Sequence, residues 1–311
     1  MRFNMNKVIL SIICYSIGIL AIEAQIQSKS LLIYNDSIEL PGILTYTDTS
    51  KDLVIWVHGS GDVDKDGNQK SANVKANYIR QLRDSLNQRN IAFYSYDKRT
   101  SNPKNTTYHS GIVLDDFVSD VKKTVSHLKE NKQFESITLI GHSQGSLVAM
   151  LASDGIDKYV SLAGPSERID TTIIKQISAQ SAELGKSAKA HFKELRETGK
   201  IREVNPFLIS IFAEQNLAFM QNWMKYDPVA EIKKLKIPTL IINGTKDLQV
   251  KVEDAKALKN VKSDAQLVII KNMNHVLKVI EKDADNYPSY FSPDFELAPQ
   301  LINSICEFVK K

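Results

Sequence analysis

Short apolar runs alternate with amphipathic stretches along most of this chain of 311 residues. Uninterrupted apolar runs of about four to eight residues are typical of buried β-strands, and apolar side chains three or four positions apart are typical of helices. This alternation indicates a mostly parallel, doubly wound α/β sheet with helices on both faces. The predicted strands are residues 53–57, 91–96, 137–140, 159–162, 239–242 and 267–270, and the first two helices are residues 73–88 and 115–129.

Further elements are predicted at the two ends of this alternation. Residues 31–34 and 38–46 are typical of an opening pair of strands, in which Pro41 and Gly42 predict a bend or bulge. A closing helix is predicted at residues 298–309. The core is therefore expected to start with a hairpin-like pair and to end on a helix.

The alternation is interrupted after the sixth strand. Residues 165–235 contain no convincing strand, and residues 169–185, 188–198 and 205–225 are rich in helix-forming residues. We expect a helical cap, inserted between core segments 25–164 and 236–311. Most of its apolar residues are expected to pack the cap onto the core, and some to line an acyl-binding pocket. This apolar set is Phe207, Leu208, Ile211, Phe212, Leu217, Phe219, Met220, Trp223 and Met224.

The first 24 residues have the pattern of an export signal. A short positive region is followed by the apolar run 8–20 and by a cleavage site after Ala24. The run is shorter than the span of about 20 residues that crosses a membrane, which favours a removed signal over a stable anchor. We expect an exported protein, periplasmic or secreted, in which Cys306 is the one remaining cysteine and no internal disulfide forms.

Composition excludes several classes of protein. Hydrophobic residues make up 42% and charged residues 24% of the chain, which is ordinary for a globular protein and excludes disordered and fibrous classes. The formal net charge is +4, and lysines and arginines are interleaved with acidic residues. No nucleic-acid partner is expected from this distribution.

A G-x-S-x-G sequence occupies residues 141–145, between the predicted strand 136–140 and the helix-like residues 146–151. In that context the pattern predicts a nucleophile elbow, a sharp turn that exposes a reactive serine. A side chain at either glycine would collide with the turn or with the next strand. Ser143 is therefore the predicted nucleophile.

An activated serine needs a base and an acid, which follow later in the chain with the acid first. Of the six histidines only His275 falls in the last quarter, on a loop after the predicted strand 265–270. Asp247 ends the turn after the strand 236–243, where it would orient the imidazole. Glu253 and Asp254 are the alternative acids, although both belong to a helical stretch whose exposed face is typically solvated.

An oxyanion formed at the substrate would need two backbone donors. The first predicted donor is the N–H of Gln144, directly after the nucleophile. The second comes from residues 58–61, which follow the strand 53–57 and are small enough to let the backbone approach a carbonyl. Ser60 is the predicted second donor, with Gly61 as the alternative.

Several motifs resemble those of a known family. Residues 58–68 (HGSGDVDKDGN), 96–99 (YDKR), 226–228 (YDP) and 274–275 (NH) resemble the loops of bacterial carboxylesterases of the EstD type, which are serine hydrolases of the α/β-hydrolase superfamily. The resemblance extends from about residue 30 to the C-terminus. Residues 100–103 depart from it, because the family usually has glycine after the arginine of its Y-D-x-R-G loop.

The acidic loop also matches the start of a calcium-binding loop. Asp62, Asp64, Asp66 and Gly67 fit D-x-D-x-D-G. The twelfth position is Asn73, so the bidentate glutamate that closes such a site is missing. We expect neither a metal site nor a cofactor.

The expected function is hydrolysis of small-molecule carboxylic esters with short to medium acyl groups, through an acyl-enzyme intermediate. A thioesterase or a peptidase with the same triad is the alternative. Peptidases of this superfamily commonly add carboxylates that bind a substrate amine, and no compelling acidic pair is found around Glu194, Glu197, Glu203 or Glu214. A non-catalytic binding protein on the same scaffold would usually lack one member of the triad.

Overall fold

A computed structural model describes residues 25–130 and 132–311, and within these residues eight strands form one sheet in the order β1-β2-β4-β3-β5-β6-β7-β8. The predicted export signal, residues 1–24, lies outside the described residues. The strands are β1 Gln27–Asn35, β2 Ile38–Tyr46, β3 Asp52–Val57, β4 Ala92–Tyr96, β5 Ser136–His142, β6 Lys158–Leu162, β7 Thr239–Gly244 and β8 Gln266–Ile270.

Helices cover both faces of the sheet, as expected for a doubly wound fold. The helices are α1 Tyr78–Asn87, α2 Leu114–Glu130, α3 Gln144–Leu151, α4 Ile169–Gln180, α5 Ala182–Thr198, α6 Ile209–Phe212, α7 Glu214–Trp223, α8 Pro228–Lys234, α9 Val252–Val261 and α10 Pro299–Val309. Alternate residues of β3 point to opposite faces: Leu53 and Ile55 join the core under α2, α3, α8 and α9, whereas Val54 and Trp56 join the core under α1 and α10.

None of the helices in the described residues combines the length and the apolar character that crossing a membrane requires.

Strands β3 to β8 run parallel, and only β1 and β2 introduce antiparallel pairs. The carboxyl ends of the parallel strands therefore meet at one edge of the sheet, where doubly wound folds bind their ligands.

The bulge predicted at Pro41 and Gly42 is wrong. β1 and β2 pair in an unbroken register from Gln27 opposite Tyr46 to Asn35 opposite Ile38. Gly42 serves the approach of a neighbouring side chain, because a Cβ there would lie 2.3 Å from the hydroxyl oxygen of Tyr94 on β4. Glycine in a strand interior marks either a bulge or such a close approach, and only the tertiary packing distinguishes them.

The first helix is shorter than the predicted residues 73–88. Gln69 and Val74 form an antiparallel bridge, which holds the preceding segment in a loop. Asn68 and Asn77 then exchange two hydrogen bonds, of 2.8 Å and 3.1 Å, and Asn77 adopts a left-handed backbone with φ 48°. The helix starts directly afterwards at Tyr78.

The segment between β6 and β7 is helical, and part of it has a core of its own. Phe207 belongs to the apolar set expected to pack the cap onto the core or to line a pocket, but it is 81% exposed, whereas Phe212 and Met224 lie inside this separate core. Phe219 packs edge-on against Phe117 of α2, with ring centroids 5.9 Å apart, and so joins the segment to the sheet domain. The core residues are Ala188, Phe192, Leu195, Leu208, Phe212 and Met224.

Replacing Gly42 tests the close approach of Tyr94. Gly42→Ala is expected to lower the free energy of unfolding by about 1–3 kcal/mol, because the new methyl group overlaps the ring and hydroxyl. In a Tyr94→Leu background the same change should cost clearly less. Urea unfolding of the four proteins in this double-mutant cycle measures the difference, and equal costs in both backgrounds would contradict this account.

Candidate active site

Ser143 lies on a strained turn between β5 and α3. Its backbone has φ 56° and ψ −124°, which non-glycine residues rarely adopt. A Cβ on Gly141 would lie 2.3 Å from the carbonyl oxygen of Gly145, and a Cβ on Gly145 would lie 2.3 Å from that of Val57. The steric reason predicted for both glycines is confirmed, and the turn presents Ser143 at the carboxyl edge of the sheet.

His275 and Asp247 form a buried pair at the same edge. Asp247 follows β7, His275 follows β8, and Nδ1 of His275 donates a hydrogen bond to Oδ2 of Asp247 at 2.8 Å. The other carboxylate oxygen accepts the backbone N–H groups of Gln249 at 2.8 Å and Val250 at 2.9 Å. The structure thus brings the predicted acid and the predicted base together.

The environment of Asp247 keeps its carboxylate charged. Burial by itself would raise the pKa of Asp247, but the proximity and hydrogen bond of His275, with the N–H groups of Val250 and Gln249, hold the pKa below its ordinary value. A carboxylate that accepts from Nδ1 leaves the lone pair of the neutral ring on Nε2. His275 is therefore arranged to accept a proton at Nε2.

His142 contacts the backbone of His275, and nothing in the sequence indicated this contact. Its Nε2 donates to the backbone carbonyl of His275 at 2.8 Å, and its ring stacks on Trp56 with centroids 5.6 Å apart. Burial lowers the pKa of His142 to about 3, so the ring stays neutral. In the G-x-S-x-G pattern this residue is the variable position, and no sequence signal marks its role.

Two cavities meet at Ser143 and Ser60. The first, of about 380 Å³, brings Ser143, His275, Ser60 and Gly61 together and is otherwise lined by polar, aromatic and small aliphatic side chains. The second, of about 180 Å³, reaches Gln144 and has a mixed polar and apolar lining that includes Trp223 of the helical segment. Its apolar residues are Leu147, Pro165, Ile169, Trp223, Pro228 and Val250.

The backbone N–H of Gln144 lies at the first position of α3, where helical N–H groups have no partner within the helix. The positive end of the helix dipole points at the same place. Ser60 borders both cavities, whereas Gly61 borders only the first. The choice of Ser60 over Gly61 as the second oxyanion donor stays a prediction.

Comparisons with known proteins assign the chain to a family. The model of the BD-FAE family matches residues 43–261. The chain belongs to the BD-FAE family. Esterase EstD of Thermotoga maritima is 24% identical over 287 residues, which cover 88% of this chain and 66% of that protein. The chain thus spans slightly less than two thirds of this relative's length.

Solved structures show the same fold. Est1E from Butyrivibrio proteoclasticus superposes with a TM-score of 0.56 at 16% identity, covering 90% of this chain and 96% of that one. The esterase PF2001 of Pyrococcus furiosus gives a TM-score of 0.58 at 20% identity, covering 91% of each chain. This member of the BD-FAE family is an α/β-hydrolase, as predicted.

The segment that departs from the EstD-type pattern has a well-defined structure. Arg99 is buried and donates to both carboxylate oxygens of Asp120, at 2.7 Å each. The chain then forms a short 3₁₀ helix, Pro103–Tyr108, whose start is capped by Asn102 accepting from the N–H of Lys104 at 3.1 Å. Asn102 and Pro103 thus start a capped helical turn in this segment.

The acidic loop is held by protein contacts. Asp64 accepts the N–H groups of Asp66 and Asn68 at 2.9 Å and 2.8 Å, and Asp66 pairs with Arg83 at 3.0 Å. Asp62 accepts from the hydroxyl and the N–H of Ser71. In residues 25–130 and 132–311, no group of three or more histidine, cysteine or acidic residues is arranged to hold a metal ion.

This loop gives a prediction about metals. Because its carboxylates are already engaged by protein donors, neither EDTA nor added calcium should shift the midpoint of thermal unfolding. A bound ion would stabilise the folded state in proportion to the logarithm of its concentration. A midpoint that rises steadily with calcium and falls with EDTA, in a series from micromolar to millimolar calcium, would show a site here.

Proposed function

We propose that this protein is a serine carboxylesterase. The carrying observation is that Ser143, on its strained turn, and His275, held by buried Asp247, line one cavity at the carboxyl edge of the sheet. The name of the EstD relative supports an ester-hydrolysing activity. We further propose that the predicted signal directs the enzyme out of the cytoplasm, which fractionation of cells producing the full chain would test.

The arrangement supports a two-step reaction. Ser143 Oγ attacks the ester carbonyl as its proton passes to Nε2 of His275, and the N–H groups of Gln144 and Ser60 receive the oxyanion. The tetrahedral intermediate collapses, and the alcohol leaves with the proton from His275. Water then gives a proton to His275 and attacks the acyl-enzyme, and the acid is released as His275 returns the proton to Ser143.

The two cavities divide the substrate between them. We assign the acyl group to the smaller cavity, because Leu147, Ile169 and Trp223 offer apolar contacts to a hydrocarbon chain and the cavity borders both Ser143 and Gln144. The alcohol portion then occupies the larger cavity, whose lining includes Gln69, Gln249 and Tyr290. A volume of about 180 Å³ favours short to medium acyl groups.

A peptidase role finds little support in the cavities. Glu194, Glu197, Glu203 and Glu214 line neither of the two, and the one carboxylate in the smaller cavity, Glu167, is paired with Lys175. Thioesters and aminoacyl amides belong in the substrate panel as comparisons. Methyl ferulate belongs there too, because Est1E has been solved with ferulic acid bound.

Removing the serine hydroxyl tests the proposed nucleophile. Ser143→Ala should abolish labelling by a fluorophosphonate probe and lower ester turnover by roughly 10⁴-fold or more, with an unchanged unfolding midpoint. Ser263→Ala is the matched control, because Ser263 is exposed and precedes β8 at the opposite edge of the sheet. Turnover by Ser143→Ala within tenfold of the wild type would overturn the assignment.

Acyl-chain preference tests the smaller cavity. Across p-nitrophenyl esters from C2 to C16, kcat/KM should pass through an optimum at short to medium length and change gradually, since each methylene contributes about 0.8 kcal/mol. Trp223→Ala should move the optimum to longer chains, and the exposed Phe207→Ala should leave it in place. A steady rise to C16 in the wild type would refute the assignment of this cavity.

A further inference from the structure

A buried lysine contacts both of the chain segments that carry the predicted oxyanion donors. Lys98, in the segment after β4, is 4% exposed. Its Nζ donates to the carbonyl oxygen of Gly59 at 2.7 Å and to Oε1 of Gln144 at 3.2 Å. Lys98 thus joins the residue before Ser60 to the residue after Ser143.

The surroundings of Lys98 are unusual for a charged side chain. Within the described residues, the Nζ of Lys98 donates hydrogen bonds to two neutral acceptors, the carbonyl of Gly59 and the side chain of Gln144. The same Nζ lies 4.1 Å from the ring centroid of Phe117. The nearby carboxylate of Asp120 is already bound by Arg99 through two hydrogen bonds. Burial lowers the pKa of Lys98 to about 7, against the opposite effects of Asp120 and Asp62. A polar group is buried at this cost only where its contacts offset the desolvation.

The contact with Gly59 determines the direction of a neighbouring donor. The carbonyl of Gly59 and the N–H of Ser60 belong to one peptide unit, and the described chain contains no cis peptide bond. In a planar trans unit these two groups point in opposite directions. Holding the carbonyl on Lys98 therefore turns the N–H of Ser60 away from the lysine, and Ser60 borders both of the cavities that Ser143 borders.

The contact with Gln144 acts on the other donor. Gly59 packs directly against the turn, since a Cβ on it would lie 3.2 Å from Cβ of Ser143. The side chain of Gln144 bound to Lys98 holds the first turn of α3 next to the Gly59 loop. One side-chain amine therefore bridges the two chain segments that supply these N–H groups.

We propose that Lys98 is a positioning residue that holds the N–H groups of Ser60 and Gln144 in the geometry of an oxyanion hole. The inference rests on the proposed esterase function. The inference goes beyond that function because it assigns part of the stabilisation of the tetrahedral intermediate to a residue that touches neither the substrate nor the reacting atoms. A purely structural lysine would support folding without a specific effect on that intermediate.

Lys98→Met tests this role, because methionine has a similar length and donates no hydrogen bond. We expect kcat for p-nitrophenyl butyrate to fall by about 10- to 1,000-fold, as when an oxyanion donor is lost, with KM within about threefold of the wild type. Phenylboronic acid forms a tetrahedral adduct with the serine, so its affinity should fall by about the same factor as kcat/KM. The unfolding midpoint should change little, because an apolar side chain suits a buried site.

Two further proteins control the experiment. Lys262→Met removes an equally buried lysine, 7% exposed, which binds Asp264 before β8 at the opposite edge of the sheet, and should leave kcat and boronate affinity unchanged. Gln144→Leu keeps the backbone N–H but loses the contact with Lys98. Its effect on kcat should be smaller than that of Lys98→Met and should not add to it in the double variant, because both remove the same link.

The outcomes separate the two levels of proposal. Wild-type ester hydrolysis and probe labelling, both lost in Ser143→Ala, establish the esterase function independently of Lys98. With that in place, boronate affinity within threefold of the wild type in Lys98→Met overturns the positioning role. If Lys98→Met does not fold, Gln144→Leu decides, and unchanged kcat and boronate affinity in that variant overturn the role. A wild type without esterase activity refutes both proposals.

Discussion

The close contact between the serine turn and the end of β3 is the constraint on which the candidate site depends. Gly145 lies so near the carbonyl oxygens of Val57 and His58 that any side chain there would overlap them. This approach brings Ser143, directly after β5, beside the Gly59–Ser60 segment that follows β3, the neighbour of β5 in the sheet. The unfavourable backbone of Ser143 persists because the strands on both sides hold its flanking residues in place.

Buried polar groups hold the acid and the base of the site in place. Their burial and their hydrogen bonds decide which of them are charged. Asp247 receives three hydrogen bonds and stays ionised. His142 has its Nε2 bonded to the carbonyl of His275, and its burial keeps it neutral. These hydrogen bonds hold Asp247 and the backbone of His275 in one geometry, which suits a base that must meet a serine.

The helical segment between β6 and β7 divides its side chains between its own packing and the site. Phe212 and Met224 lie in the separate core of this segment, and Phe219 contacts α2. Other residues of the segment, among them Ile169 and Trp223, line the smaller cavity. The carboxyl edge of the sheet thus carries the predicted triad, while the inserted segment supplies much of the lining of the smaller cavity.

The sequence by itself determined the alternation of strands and helices, the serine turn and the chain order of acid and base. These depend on local spacing, on glycines with a steric role and on strand ends, all of which are visible within short windows. Tertiary structure alone decided the rest. Gly42 faces Tyr94 and Lys98 contacts Gln144 because the sheet brings together residues that are distant in sequence. Phe207 faces solvent because of how the helical segment packs. Such contacts have no period or motif, since they follow from how whole elements pack.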